Sequence, residues 1–210
     1  MGESAATLVA QAVLRGLVAG ESVEIDGLGV FHPDAAGFRF EPRPPRVFIA
    51  YAKEDGETAG ALYSELTRAG LGAWMDIKNL LPGQNWPRAI EAAIETSDFF
   101  LPCFSRNSSA KRGGFQAELR YALDCARRVP LDDIYIVPVR LDECWVPGAV
   151  RKELQYFDLF PGWERGVRRL VAALRRESAR RLKRQAEIAH GSPRGGAPHQ
   201  VDVAGAPSLQ

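Results

Sequence analysis

From Arg46 onward the chain alternates a short apolar run with a stretch of helical spacing, five times over. "VFIAY" precedes a helix predicted from about Glu57 to Ala69, and "LGAWMD" precedes a turn, "IKNLLPGQ", and a helix from about Trp86 to Thr96. "FFLPCFS" is followed by a polar loop and a helix from about Gly114 to Arg128. "IYIVPVRL" leads through a less regular stretch to "YFDLF" and a helix opening at Trp163. Strands this short and this continuously apolar are buried on both faces, which requires a parallel sheet sandwiched between helices. The expected fold is therefore α/β, a flavodoxin-like doubly wound five-stranded parallel sheet. Its ligand crevice should lie at the carboxyl ends of the strands.

This α/β segment, predicted over residues 45–176, has flanks of different character. Residues 1–44 are expected to form a small α+β module. Ala5 to Val18 is apolar at helical spacing, and strand-like alternation follows around Gly27 and Gly29. The proline-rich "EPRPPR" then acts as a connector, because it can continue neither helix nor sheet. Residues 177–210 are expected to be a basic helical extension to about Ile188 and then a disordered tail, "GSPRGGAPHQVDVAGAPSLQ". The net charge of +1 hides an asymmetry: residues 1–44 carry six acids against three arginines, and residues 165–184 nine basic groups against Glu177 alone. The basic stretch reads either as a DNA-binding helix or as a solvated helix face.

Three widely spaced cysteines, Cys103, Cys125 and Cys144, with no CxxC, suit reduced thiols in a cytoplasmic setting. With three histidines, two of them near the end, no metal-ligand spacing is present and no metal site is expected. Neither a signal-peptide pattern nor an apolar run of membrane-spanning length is seen, so no membrane association is expected.

The polar residues predicted at the strand ends converge on one edge. They are Tyr51, Lys53, Glu54 and Asp55 after the first strand, and Asp76 and Lys78 after the second. Ser105 and Asn107 follow the third, and Glu118 lies about one turn into the next helix. No phosphate-binding glycine fingerprint accompanies them. Bland readings stand beside functional ones: Asp55 as a helix N-cap, Trp86 as a core aromatic. Glu118, beside the buried stripe of Phe115, Leu119 and Ala122, is either a solvated boundary residue or a desolvated functional carboxylate.

"RVFIAYAKED", "AGLGAWMDIKNLLPGQNWPRAIEAAIETSDFFLPCFS" and "GGFQAELRYAL" together resemble a TIR (Toll/interleukin-1 receptor) domain of the bacterial kind, in the right order over about 130 residues. Many members of that family hydrolyse NAD, releasing nicotinamide and ADP-ribose or a cyclic variant. The resemblance implies Glu118 as the catalytic glutamate, with Tyr51, Ala52 and Lys53 lining the first loop. It further implies Asp76, Lys78 and Leu81 on the second, with Trp86 beyond, and Ser105 and Phe115 closing the third side. NAD would be a substrate and no cofactor is implied. Family members often carry an aromatic four residues before the glutamate, where this chain has Gly114.

The resemblance implies an NAD+ hydrolase, self-assembling through other TIR domains, an effector of bacterial antiviral defence or signalling under an upstream sensor. Its rival is a non-catalytic TIR–TIR adaptor or virulence factor. The first segment, "LRGLVAGESVEIDGLGVFHPDAAGFRFEP", resembles the helix-plus-sheet part of histone-like HU proteins. It lacks their basic arms, and its acidic balance argues against duplex DNA as partner. Dimerisation or partner docking is expected of it instead.

Overall fold

A computed structural model describes residues 5–190 except 27, 36, 111, 112, 131, 152 and 153. The tail expected to be disordered therefore lies outside the described residues. The chain opens with helix α1 (Ala5–Val18) and strands β1 (Val23–Ile25), β2 (Gly29–Asp34) and β3 (Gly37–Pro42). These strands form an antiparallel sheet in the order β1-β2-β3. The α/β part follows with β4 (Arg46–Ala50), α2 (Gly56–Arg68), β5 (Gly72–Trp74), α3 (Asp76–Asn79) and α4 (Trp86–Glu95). Then come β6 (Phe99–Phe104), α5 (Arg106–Ala110), α6 (Gly114–Ala126), β7 (Val139–Arg140), α7 (Gly148–Arg151), β8 (Phe157–Asp158) and α8 (Trp163–His190).

The five later strands pair in parallel in the order β5-β4-β6-β7-β8, the flavodoxin-like order. Successive side chains of a strand point to opposite faces, and here both faces are apolar. Val47, Ile49, Phe99 and Leu101 enter a core with Leu62 and Leu66 of α2 and Leu170 and Leu174 of α8. Phe48, Ala50, Phe100 and Phe104 enter the opposite core, with Ile94 of α4 and Phe115 and Leu119 of α6. Phe48 is stacked between Trp74 at 4.7 Å and Phe100 at 5.4 Å. This is why the sequence shows continuous apolar runs there.

Two expected strands are shorter than their apolar runs. "IYIVPVRL" pairs regularly only at Val139 and Arg140, with an isolated bridge from Ile136 to Phe100. Pro138 separates them, because it has no N–H to give a ladder. At β8, α8 approaches so closely that a Cβ on Gly166 would lie 2.7 Å from the Asp158 carbonyl oxygen.

The connector is fastened as well as stiffened. Arg43 makes a two-pronged ion pair with Asp98, at 2.7 and 2.9 Å, and Asp98 also accepts from the Arg46 amide. Residue 176, where the α/β segment was expected to end, lies inside the unbroken α8. Beyond it, Glu177 is 7% exposed and accepts from the Ile134 amide, Arg180 and Arg181. Arg181 lays its guanidinium over Phe99, 4.7 Å from the ring centre, and Arg184 pairs with Asp133. These arginines of the basic stretch are engaged with the sheet domain rather than forming an open charged stripe.

Candidate functional site

The carboxyl ends of β4, β5 and β6 open into a cavity of about 650 Å³. Its first wall is the turn after β4, where Tyr51, Ala52, Lys53 and Glu54 line it. Asp76, Ile77 and Leu80 form the second wall, with Trp86 at the start of α4. The third consists of Asn107, Ser108, Gly113, Gly114, Phe115 and Glu118.

Of the residues singled out in the sequence, Tyr51, Ala52, Lys53, Asp76, Trp86, Phe115 and Glu118 are thus brought together. Lys78 and Leu81 are not: both are exposed, Leu81 at 64%, and neither lines the cavity. They lie on or just past α3, a short helix where a plain turn was expected. Ile77 and Leu80 line the cavity in their place, Ile77 at its rim and still 72% exposed. Ser105 is also absent from the wall, being 1% exposed beneath the floor.

Under the cavity floor, buried and not itself among the lining residues, lies Asp55. Its carboxylate does not cap α2. It accepts from Ser105 Oγ at 2.5 Å and Asn107 Nδ2 at 2.7 Å, tying the turn after β4 to the end of β6. Ser105 and Ser108 then exchange hydrogen bonds, each hydroxyl accepting from the other's amide, and this fixes the start of α5. Burial, with Asp55 beside it, pushes the Cys103 thiol far above its ordinary range, so it offers no thiolate.

Glu118 owes its place to its neighbours on α6. Phe115, three residues before, and Ala122, four after, are buried against the sheet. Glu118 is held at the edge of that stripe, partly buried and facing the cavity. A Cβ on Gly114 would lie 3.9 Å from Glu118 Oε1, so the carboxylate leans back along the helix over a position with no side chain. Burial, and then the negative charge of Asp76, raise its pKa to about 7. Asp76 is itself gripped: Tyr51 donates its hydroxyl to Oδ1 at 2.6 Å, and the Ile77 amide donates at 2.7 Å. Burial and that bond raise the Tyr51 phenol above its usual range, so it stays a proton donor.

The two aromatic residues differ in kind. Phe115 is 7% exposed and packs edge-on against Phe104, with ring centres 5.5 Å apart, so most of its ring belongs to the core. Trp86 is 60% exposed, which rules out a core role and leaves its ring available at the cavity mouth. Ile77, Leu80, Ser108 and Gly113 were not anticipated. The spacing of Ser105 and Ser108 ahead of a helix was the one available signal for Ser108.

Among the described residues no group of three or more His, Cys, Asp or Glu could hold a metal ion. No helix among them is long and apolar enough to cross a membrane. What the cavity offers is three carboxylates, Glu54, Asp76 and the desolvated Glu118, with a phenol, an exposed lysine and an open indole.

The chain is 26% identical over 156 residues to the uncharacterized protein y4cD of Sinorhizobium fredii, covering 71% of this chain and 23% of that protein. It thus spans under a quarter of that relative's length. Among solved structures, the TIR domain of the Toll-related receptor TRR-2 from Hydra magnipapillata is 26% identical. That match covers 60% of this chain and 97% of the other, with a TM-score of 0.47. The family profile described as TIR domain matches residues 47–171, more than half of the 210 residues. The chain belongs to the TIR domain family.

Proposed function

We propose that this chain is an NAD+ glycohydrolase, cleaving the bond between nicotinamide and ribose, with Glu118 as the catalytic group. The observation that carries this reading is the Glu118 carboxyl, partly desolvated in the cavity and acted on by the charge of Asp76, its pKa raised to about 7. Most glycosidases need both an acid and a base, because an alkoxide leaves poorly. In NAD the leaving group is a pyridinium, which takes the electrons of the breaking C–N bond and departs neutral. No general acid is needed. A carboxylate near the ribose stabilises the oxocarbenium-like carbon until water adds to it and releases a proton. Two carboxylates also suit the cationic nicotinamide ring, and that cation in turn favours the ionised form of Glu118. Lys53 is the exposed cation at the wall for the diphosphate, and Trp86 offers the ring face that Gly114 does not. Antiviral defence under an upstream sensor, in the cytoplasm, is the setting such an activity would fit.

The test is nicotinamide release from NAD+ by the purified chain and by Glu118→Gln. The variant should lose about 10²-fold or more in turnover, the scale of one preorganised electrostatic group, with NAD binding little changed. A second reading, a non-catalytic TIR–TIR adaptor, draws on the exposed apolar side chains Ile77 (72%), Leu81 (64%) and Trp86 (60%). They make the α3–α4 segment a surface for another TIR domain. No nicotinamide release from the assembled wild type would favour it.

A further inference from the structure

The arginines that α8 directs at the sheet domain have partners, and three of those on its outer face do not. Val167, Leu170 and Leu174 bury one side of the helix in the core. By helical periodicity the opposite side carries Arg165, Arg168, Arg169, Arg175 and Arg176, all exposed, with Ala172 and Ala179 between them. Among the described residues Arg165, Arg168 and Arg176 make no ion pair and no hydrogen bond. Arg169 lies 6.0 Å from the Phe157 ring centre, and Arg175 donates to the Ala69 carbonyl. Arg180 and Lys183 continue the stripe while pairing with Glu177 and Glu187. Against these cations α8 exposes only Glu164 and Glu187. Helix α2, alongside, adds Glu57 and Glu65, and Arg68 takes up Glu65.

The spacing arms both flanks of this face. Consecutive residues stand about 100° apart round a helix. The doublets Arg168–Arg169 and Arg175–Arg176 are two turns apart, about 10 Å along the axis. Each doublet therefore sends one arginine to either side of the line through Ala172 and Ala179.

We propose that the outer face of α8 lies along the major groove of B-form duplex DNA, one row of arginines on each phosphate chain, without reading sequence. The groove is about 12 Å wide, close to the diameter of a helix. The two alanines let the backbone sink toward its floor while the arginines reach its walls. Arginine suits the task because its planar fork gives two hydrogen bonds to one phosphate. Two observations select DNA over other polyanions. A membrane surface takes up an amphipathic helix by its apolar side, and that side of α8 is shut in the core. Single strands are held by stacking on open aromatic rings, and the one tryptophan of α8, Trp163, packs against the core.

The test is fluorescence anisotropy of a labelled duplex of about 20 base pairs and arbitrary sequence, titrated with the full chain from about 50 to 200 mM KCl. Kd should be micromolar at the lowest salt. The logarithm of the binding constant should fall against log salt with a slope of about −4, since four arginines each displace about 0.9 counterion. Arg168→Gln/Arg176→Gln, one from each row, should flatten the slope by about 2 and weaken binding about 10-fold or more. Both side chains are exposed and without partners among the described residues, so circular dichroism should report unchanged folding. Arg165→Gln, which should flatten the slope by about 1, provides the same reading should the double variant unfold. Arg39→Gln, on the N-terminal sheet, should change nothing. Duplex RNA of the same length should bind about 10-fold more weakly, because its deep, narrow major groove does not admit a helix. No binding at about 100 µM protein in the lowest salt overturns the inference. So does a folded Arg168→Gln/Arg176→Gln or Arg165→Gln that binds as the wild type does, or a loss of binding in Arg39→Gln. Equal affinity for duplex RNA, or tighter binding to vesicles of about 30% phosphatidylserine in phosphatidylcholine, overturns it as well.

Discussion

Glu118→Gln tests the electrostatics of the cavity without any substrate. The carboxyl pKa rises from 4.5 to about 7 on folding, through burial first and the Asp76 charge second. Between those values the folded chain holds a proton that the unfolded chain has released. Stability therefore falls as pH rises from about 4.5 to about 7 and is level above that. At about 1.4 kcal/mol per pH unit the full shift is worth about 3 kcal/mol, and about 2 kcal/mol once the cavity's access to water is allowed for. Glutamine keeps the shape and has no charge to desolvate. Urea denaturation of both proteins at pH 4.5, 6, 7 and 8 should show near-equal stability at the lowest pH. By pH 8 the variant should be the more stable by about 2 kcal/mol, or about 4–8 °C in Tm for a chain of this size. A gap that does not change with pH, or a variant weaker than wild type at pH 8, would refute the desolvated-carboxylate picture.

Three further outcomes follow from the same structure. If ionised Glu118 is the working form, kcat/KM for NAD+ cleavage should rise with pH, with its midpoint near 7, and level off above; a rate falling across that range would exclude a carboxylate mechanism. Asp55→Ala should cost about 2–4 kcal/mol in denaturant unfolding, because it strips the acceptor from Ser105 and Asn107 under the cavity floor; a neutral result would mean that water replaces the carboxylate. Truncation after Arg176 should lower Tm by several degrees, since it leaves Asp133, whose side chain is 11% exposed, without Arg181 and Arg184; an unchanged Tm would make the end of α8 a mere extension.

The order of the α/β elements was legible from residues alone because burial on both faces forces continuous apolar strands. Val47 to Ala50 and Phe99 to Phe104 announced the central pair, and Phe115, Leu119 and Ala122 the buried stripe that carries Glu118. A chain whose strands are covered on both sides has little choice but parallel pairing and helical crossovers, so periodicity alone sufficed. Side-chain direction was a different matter. Nothing local distinguishes Ser105, buried off the wall, from Ser108 on it, or Lys78, away from the cavity, from Ile77, exposed at its rim. Those choices depend on whether a four-residue helix forms after Met75, and on where the carboxylate of Asp55, fifty residues from Ser105, finds its donors. Likewise Arg180, Arg181 and Arg184 of α8 read as part of a charged stripe until Glu177, Asp133 and the carbonyls of a distant loop came within reach. Spacing along the chain determined which residues are buried. Contacts between segments far apart in the chain decided which polar groups meet, because a hydrogen bond needs a partner in space and sequence records only neighbours along the backbone.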